Sequence, residues 1–158
     1  MNWLGDDEVE DAELNALPTE GAKWVRFEAA ADSGAADSVV PKDLFPQFAL
    51  KPSRLSMAGK GYVSATKHRV PNLGERIVSV QTSEGRDKKI KFQVADVGKI
   101  LLSVDKLIEA GNEVRLSKEN PCIQNKKSGE ITKLTRKRGQ IILELWVKTD
   151  QVFHRPGR

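Results

Sequence analysis

The stretch 29–40, Ala-Ala-Ala-Asp-Ser-Gly-Ala-Ala-Asp-Ser-Val-Val, carries one carboxylate directly after an apolar segment. Residues 24–29 alternate between apolar and polar side chains, which predicts a strand that becomes fully buried at the alanines. Asp32 therefore stands at a strand end, followed by a hydroxyl residue and a glycine that lets a ligand or chain approach the backbone. Acid-type peptide hydrolysis needs a carboxylate in such a place, although Asp, Ser and Gly also form ordinary turns. Asp32 is a candidate catalytic residue, with a turn aspartate as the alternative.

Short strands are predicted along most of the remaining chain. The clearest is 89–97, where apolar residues fall on one face at 90, 92 and 94. Other strands, separated by turn residues, are predicted at 39–41, 75–82, 113–116, 122–124, 131–134 and 140–147. One segment differs, because Leu101, Leu102, Val104, Leu107 and Ile108 recur at helical spacing before Gly111. The sequence predicts an all-β fold, a closed and folded barrel with one short helix.

Charge is distributed unevenly along the chain. Residues 1–50 hold 11 acidic and 3 basic residues, whereas residues 51–158 hold 11 acidic and 23 basic residues. The acidic run 6–13 has little apolar surface to bury, which is typical of a solvated segment. We therefore predict a flexible acidic tail over 1–21, one domain over 22–148, and a C-terminal tail or linker over 149–158.

Composition excludes several classes of protein. A single cysteine, Cys122, and two histidines provide neither an intramolecular disulfide nor a zinc ligand set. No apolar run approaches the length of a bilayer span, and the acidic start is unlike a signal peptide. We expect a cytoplasmic, soluble protein with no metal, no cofactor and no membrane partner. The net positive charge of the chain leaves contact with nucleic acid open. However, no aromatic residues interleave with the basic clusters 86–89 and 136–138, as base stacking would require, and these clusters are predicted to be solvated loop tips.

Three blocks within residues 22–148 resemble a retroviral-type aspartic protease (retropepsin), and specifically the protease segment of a copia-like retrotransposon gag-pol polyprotein. The run 32–35, Asp-Ser-Gly-Ala, resembles the catalytic motif of that family. The stretch 62–80, which contains Asn-Leu-Gly-Glu at 72–75, resembles the flap hairpin that closes over substrate. The run 101–104, Leu-Leu-Ser-Val, resembles a block of copia-type elements, and Ser103 stands where viral enzymes usually have glycine.

The resemblance implies a homodimer, because one chain holds a single Asp-Ser-Gly and aspartic proteolysis needs two carboxylates that share a proton. Asp32 would be the catalytic residue, acting on a polypeptide substrate, its own polyprotein, in the cytoplasm or within a retroelement particle. The resemblance assigns three residues to the active-site loop, namely Ser33, Gly34 and Ala35. The candidate substrate-binding residues are Ala36, Asp37, Tyr62, Asn72, Leu73 and Gly74.

A second function stays open at this point, a catalytically inactive or domesticated retroelement remnant that acts as a dimerising and nucleic-acid-contacting module. The intact aspartate, hydroxyl and glycine at 32–34 favour the endopeptidase. The absence of an integrase or polymerase region after the protease-like blocks favours the remnant.

Overall fold

The computed structural model describes Trp3 and residues 23–64 and 66–149, which form twelve strands and two short helices. The strands are β1 (Lys23–Asp32), β2 (Val39–Pro41), β3 (Gly61–Val63), β4 (Arg69–Pro71), β5 (Gly74–Thr82), β6 (Asp87–Ala95), β7 (Ile100–Ser103), β8 (Asn112–Arg115), β9 (Cys122–Asn125), β10 (Ile131–Lys133), β11 (Thr135–Lys137) and β12 (Gln140–Thr149). The helices are α1 (Arg54–Met57) and α2 (Val104–Glu109).

Six strands close into a barrel in the order β1-β7-β2-β6-β5-β12, and β12 returns to pair with β1. Strand β11 extends this sheet from β12, while β10-β9-β8 and β3-β4 form two smaller sheets. The pairs β1–β7 and β2–β6 are parallel, and the other pairings of the barrel are antiparallel. The predicted all-β closed barrel is confirmed, whereas its likeness to retropepsin remains a prediction.

The core lies inside the barrel and is mainly aliphatic, with Phe45 and Phe92 among its buried side chains. On β6, Ile90, Phe92 and Val94 are all buried, which confirms the face predicted from their alternation. Fully burying one such side chain stabilises the fold by about 1.5–3 kcal/mol. The sheet β10-β9-β8 extends the same core, because Ile123 packs with the barrel residues.

The alanines of β1 occupy the point where this strand is bonded on both sides. Ala29 and Ala30 pair with Leu143 and Ile142 of β12 and also with Ile100 and Leu101 of β7. Both alanines are buried. Beyond this point β1 continues beside β7 alone, so the strand carries Asp32 out of the barrel wall next to the end of β7.

The predicted helix is wrong in its extent, and the count of one helix is wrong for the described residues. Leu101 and Leu102 belong to strand β7, and α2 begins only after Ser103, whose hydroxyl accepts a hydrogen bond from the backbone N–H of Lys106. Hydroxyl N-caps of this kind stop a strand and start a helix. Helix α1 was not predicted, and its cap is Ser53, which forms a capping box with Ser56.

The second predicted block, 62–80, divides into two elements. A small hairpin, β3–β4, covers Gly61–Val63 and Arg69–Pro71, and strand β5 of the barrel follows from Gly74. The role of this hairpin as a flap remains a prediction. Neither helix in the described part of the chain has the length and apolar character needed to cross a bilayer.

Trp3 is buried and packs in the core cluster, with the ammonium of Lys88 5.5 Å from its ring centre. The other residues of the predicted acidic tail 1–21, and those of the predicted tail 149–158 beyond Thr149, lie outside the described part of the chain.

Candidate active site

Asp32 ends β1 and is paired in parallel register with Ser103, the last residue of β7. Its carboxylate Oδ1 accepts a hydrogen bond from the backbone N–H of Gly34 at 2.8 Å. Asp32 is half-buried, while Ser33 and Gly34 are exposed. The loop that carries the carboxylate, residues 32–38 and hereafter the Asp32 loop, therefore presents its tip to solvent.

Two buried serines hold the Asp32 loop by hydrogen bonds, Ser38 at the end of the loop and Ser103 at the end of β7. The Ser103 hydroxyl donates to the carbonyl oxygen of Ala35 at 2.7 Å, and the backbone N–H of Ser103 donates to the hydroxyl of Ser38 at 2.9 Å. Ser103 is completely buried and Ser38 nearly so. Because the same Ser103 hydroxyl caps α2, one side chain joins the loop, β7 and the helix. Ser103, which departs from the viral pattern, therefore has a structural role that glycine could not fill.

A second polar group lies at the base of the hairpin β3–β4. The Asn72 side chain donates to the hydroxyl of Tyr62 at 3.1 Å and to Oε1 of Gln93 at 2.8 Å. Its Oδ1 accepts from the Ser53 hydroxyl at 3.0 Å and from the backbone N–H of Gly74 at 2.8 Å. We call these five residues the Asn72 cluster. Asn72 is buried and fully hydrogen-bonded, as a buried amide must be to remain stable.

Gln93 of β6 connects the two groups. Its backbone N–H donates to the carbonyl oxygen of Ser38 at 2.8 Å, and its side-chain oxygen accepts from Asn72. One buried residue therefore touches the end of the Asp32 loop with its main chain and the hairpin base with its side chain. The hairpin base and the Asp32 loop are therefore connected by hydrogen bonds through this residue.

Tyr62 and Asp37 provide an electrostatic link between the same two groups. Burial raises the pKa of the Tyr62 phenol, the hydrogen bond from Asn72 lowers it, and the negative charge of Asp37 raises it. Asp37 also lies 3.8 Å from the ammonium of Lys106 on α2. Asp37 is therefore paired with α2, and its charge also acts on Tyr62 of the hairpin.

A pocket of about 250 Å³ opens beside Asp32. Its lining residues come from β1, β7, the turn before β7, the segment after β8, the turn before β12 and the start of β12: Ala30, Ala31, Asp32, Lys99, Leu101, Leu116, Gly139, Gln140 and Ile141. Polar and apolar surface line the pocket in about equal shares, and the charged groups among these residues are Asp32 and Lys99. The pocket is therefore an accessible concave site beside a half-buried carboxylate.

The predicted site residues thus fall into two sets. Ser33, Gly34, Ala35, Ala36 and Asp37 share the Asp32 loop, and Tyr62, Asn72 and Gly74 share the Asn72 cluster. Leu73 is exposed between its two buried neighbours. Gly74 has φ +130°, and a Cβ there would lie 2.5 Å from the carbonyl oxygen of Lys51. Only glycine fits that backbone.

Sequence reasoning did not assign several residues to the site, among them Ser38, Ser53, Gln93, Lys99, Leu101, Ser103, Leu116, Gln140 and Ile141. Leu101 and Ser103 were noticed only as parts of a family-like block, and Ser38 as part of the opening stretch. No local pattern marks Gln93 or Lys99, since both acquire their place through the pairing of distant strands.

The prediction of solvated loop tips holds for the cluster 136–138, where Arg136 and Arg138 are exposed at or next to the turn between β11 and β12, and is wrong for Lys88 of the cluster 86–89, which is buried. Lys137 and Arg138 lie 2.6 Å and 3.5 Å from Glu28, and the hydrogen bond from Lys137 lowers the pKa of Glu28. Lys88 is buried and lies 2.6 Å from Glu130, whose pKa it lowers. These ion pairs neutralise part of the positive charge that nucleic-acid contact would use.

In the part of the chain that the structure describes, no three His, Cys, Asp or Glu side chains are grouped closely enough to hold a metal ion. Cys122 is buried, and His68 is exposed with its Nδ1 2.9 Å from the hydroxyl of Thr66. Neither side chain lies among the residues of the pocket beside Asp32.

Comparison of the chain with protein-family models, with curated proteins and with solved structures found no match in any of the three.

Proposed function

We propose that this chain is one half of an aspartic endopeptidase of retrotransposon type. Two copies would bring their Asp32 loops together about a two-fold axis, since the exposed tip of the loop is the same surface on both. The substrate would be a polypeptide, the polyprotein from which such a protease is released.

The proposed chemistry needs only the two Asp32 carboxylates and a water. Two carboxylates in close contact cannot both ionise cheaply, so they share one proton. The ionised one takes a proton from the water as it adds to the scissile carbonyl carbon, and the protonated one donates to the carbonyl oxygen. Proton transfer to the amide nitrogen then accompanies cleavage of the C–N bond.

The observation that carries the proposal is the setting of Asp32. Its carboxylate stands half-buried at a strand end, on a loop held by Ser38 and Ser103, and borders a pocket of mixed polar and aliphatic lining. A turn aspartate needs neither the pocket nor the two buried serines. The Asp32 loop is therefore built to hold a carboxylate still while leaving it accessible.

The substitution Asp32→Asn tests the proposal with a peptide pool derived from a proteome digest, incubated at mildly acidic pH and read by mass spectrometry. Wild-type protein should cut peptides with a bell-shaped pH profile whose two limbs belong to the coupled pair. The variant should lose at least about 10³-fold in rate, because both general base and general acid disappear. Normal cleavage by the variant would exclude Asp32 as the catalytic residue.

The mass of the protein in solution provides the second test, because it shows whether the chain is a monomer or a dimer. Sedimentation of the wild-type chain should show a dimer under the conditions of cleavage, because one chain holds half of the required pair. A dimer without cleavage would favour the inactive remnant. A monomer at every concentration, together with cleavage, would contradict the two-carboxylate mechanism.

A further inference from the structure

We propose that Lys99 selects a glutamate side chain of the substrate in the pocket beside Asp32, so that acidic peptides are the preferred substrates. This inference rests on the proposed peptide-binding function and adds the substrate class to it. Lys99 lies in the turn that leads into β7, two residues before Leu101, and both residues line the pocket.

The charge of Lys99 is available to a ligand. Within the described residues Lys99 forms no ion pair, whereas Lys88, Lys106 and Lys137 each lie within 4 Å of a carboxylate. Lys99 is exposed, so its ammonium remains hydrated until a ligand arrives. It is the single basic side chain among those that line the pocket. A substrate carboxylate is the group that would give it a partner.

The walls of the pocket favour glutamate over aspartate. Leu101, Leu116 and Ile141 offer aliphatic surface, which the two methylene groups of a glutamate can cover before the chain reaches a charged group. The Asp32 carboxylate borders the same pocket and repels a second negative charge nearby. A longer side chain can reach Lys99 while keeping its carboxylate away from Asp32.

The expected preference is modest. An exposed ion pair contributes little, so we expect a twofold to fivefold preference, about the range of surface ion pairs, for glutamate over glutamine. The preference should shrink as salt is raised, since added ions screen an exposed pair. Aliphatic side chains should also enter the pocket, with less preference than glutamate, because Leu101, Leu116 and Ile141 offer them apolar surface.

Cleavage profiles test the inference directly. Wild type, Lys99→Met and Lys99→Glu are incubated with the proteome-derived peptide pool, and the residues around each cut are compared. Wild type should show glutamate enriched at one position, the methionine variant should lose that enrichment, and the Lys99→Glu variant should enrich lysine or arginine there. Lys126→Met, at an exposed lysine outside the pocket, is the matched control and should keep the wild-type profile. Unchanged glutamate enrichment in Lys99→Met, or none in wild type, would overturn the inference.

A binding measurement separates this inference from the proposed function. The Asp32→Asn variant, with and without Lys99→Met, is titrated into fluorescent octapeptide pools that are randomised without charged residues and fixed at one position as Glu, Gln or Leu. Anisotropy should show tighter binding of the Glu pool than the Gln pool for some fixed position, and Lys99→Met should abolish the difference. If wild type cuts nothing, the endopeptidase is excluded while this titration still decides the role of Lys99. Equal binding of the Glu and Gln pools at every fixed position contradicts the role of Lys99.

Discussion

The Asp32 loop and the Asn72 cluster are both polar groups on one barrel, yet their central side chains differ in burial and in the number of hydrogen bonds they make. Asn72 is buried and makes four hydrogen bonds. The Asp32 carboxylate is half-buried and accepts one hydrogen bond, from its own loop, among the described residues. A side chain whose bonds are all satisfied serves the structure, whereas an accessible carboxylate on a braced loop is free to react.

The largest effect on stability should come from removing Asn72. Asn72→Ala leaves four partners in the cluster without their hydrogen bonds, and unpaired buried groups cost about 1–3 kcal/mol each before any relaxation. We expect a loss of about 2–4 kcal/mol in the free energy of unfolding, measured by urea denaturation. Asp32→Ala is the matched comparison and should change it by less than about 1 kcal/mol, since one hydrogen bond is lost. Equal losses would make Asp32 a structural turn residue.

Alanine substitutions compare the two regions by adding one methyl group to each, at Gly74 of the Asn72 cluster and at Gly34 of the Asp32 loop. Gly74→Ala should cost about 1–3 kcal/mol from its backbone conformation alone, and the 2.5 Å approach to Lys51 adds to that cost. Gly34→Ala meets only the Asp32 carboxylate at 3.4 Å and should change stability by less than about 1 kcal/mol. Thermal unfolding measures both. Because Gly34 is expected to face the substrate backbone, its variant should lose cleavage while remaining folded, and retained cleavage would argue against that placement.

A substitution of Ser103 tests whether the hydrogen bonds that hold the Asp32 loop matter for stability and for cleavage. Ser103→Ala removes the N-cap of α2 and the bond to Ala35 together, and we expect a loss of about 1–2 kcal/mol. Ser117→Ala is the control, because the Ser117 hydroxyl bonds the Glu119 carbonyl at an exposed site. The rate of peptide cleavage should fall with Ser103→Ala at temperatures where the variant is folded, as a positioning residue requires. A variant that is destabilised but cleaves at the normal rate would limit Ser103 to a role in folding.

The smallest effect concerns the link between the two regions. Tyr62 is the only tyrosine of the sequence, so the ultraviolet absorbance of tyrosinate reports its ionisation alone. Because its pKa is raised, the native state keeps the proton longer than the unfolded state, and stability should decline as pH rises through the ordinary tyrosine range. Asp37→Asn removes a negative charge that opposes tyrosinate and should lower the pKa of Tyr62. Asp96→Asn, at an exposed residue that faces Lys42, should leave it unchanged. An identical Tyr62 titration in Asp37→Asn would mean that the loop and the hairpin are not electrostatically coupled.

Local pattern sufficed for most of the strands, though not for β7 or β11, and for the position of Asp32 at a strand end. Alternation of side chains indicates which face of β6 is buried, and this face is buried in the structure. The helix boundary could not be read in the same way, because Leu101 and Leu102 fit both a helix and a buried strand. Pairing with β1 and β2 makes them a strand, and neither partner is adjacent in sequence.

The sequence by itself determined the all-β architecture, the Asp-Ser-Gly loop and the glycine at 74, because alternation and backbone conformation act over a few residues. Only the tertiary structure decided which distant residues serve that loop. Ser103 reaches Ala35 through the parallel pairing of β7 with β1, Gln93 reaches Ser38 through β6, and Lys99 enters the pocket through the turn before β7. Strand pairing brings residues together from opposite ends of the chain, and no short-range pattern records which strands will meet.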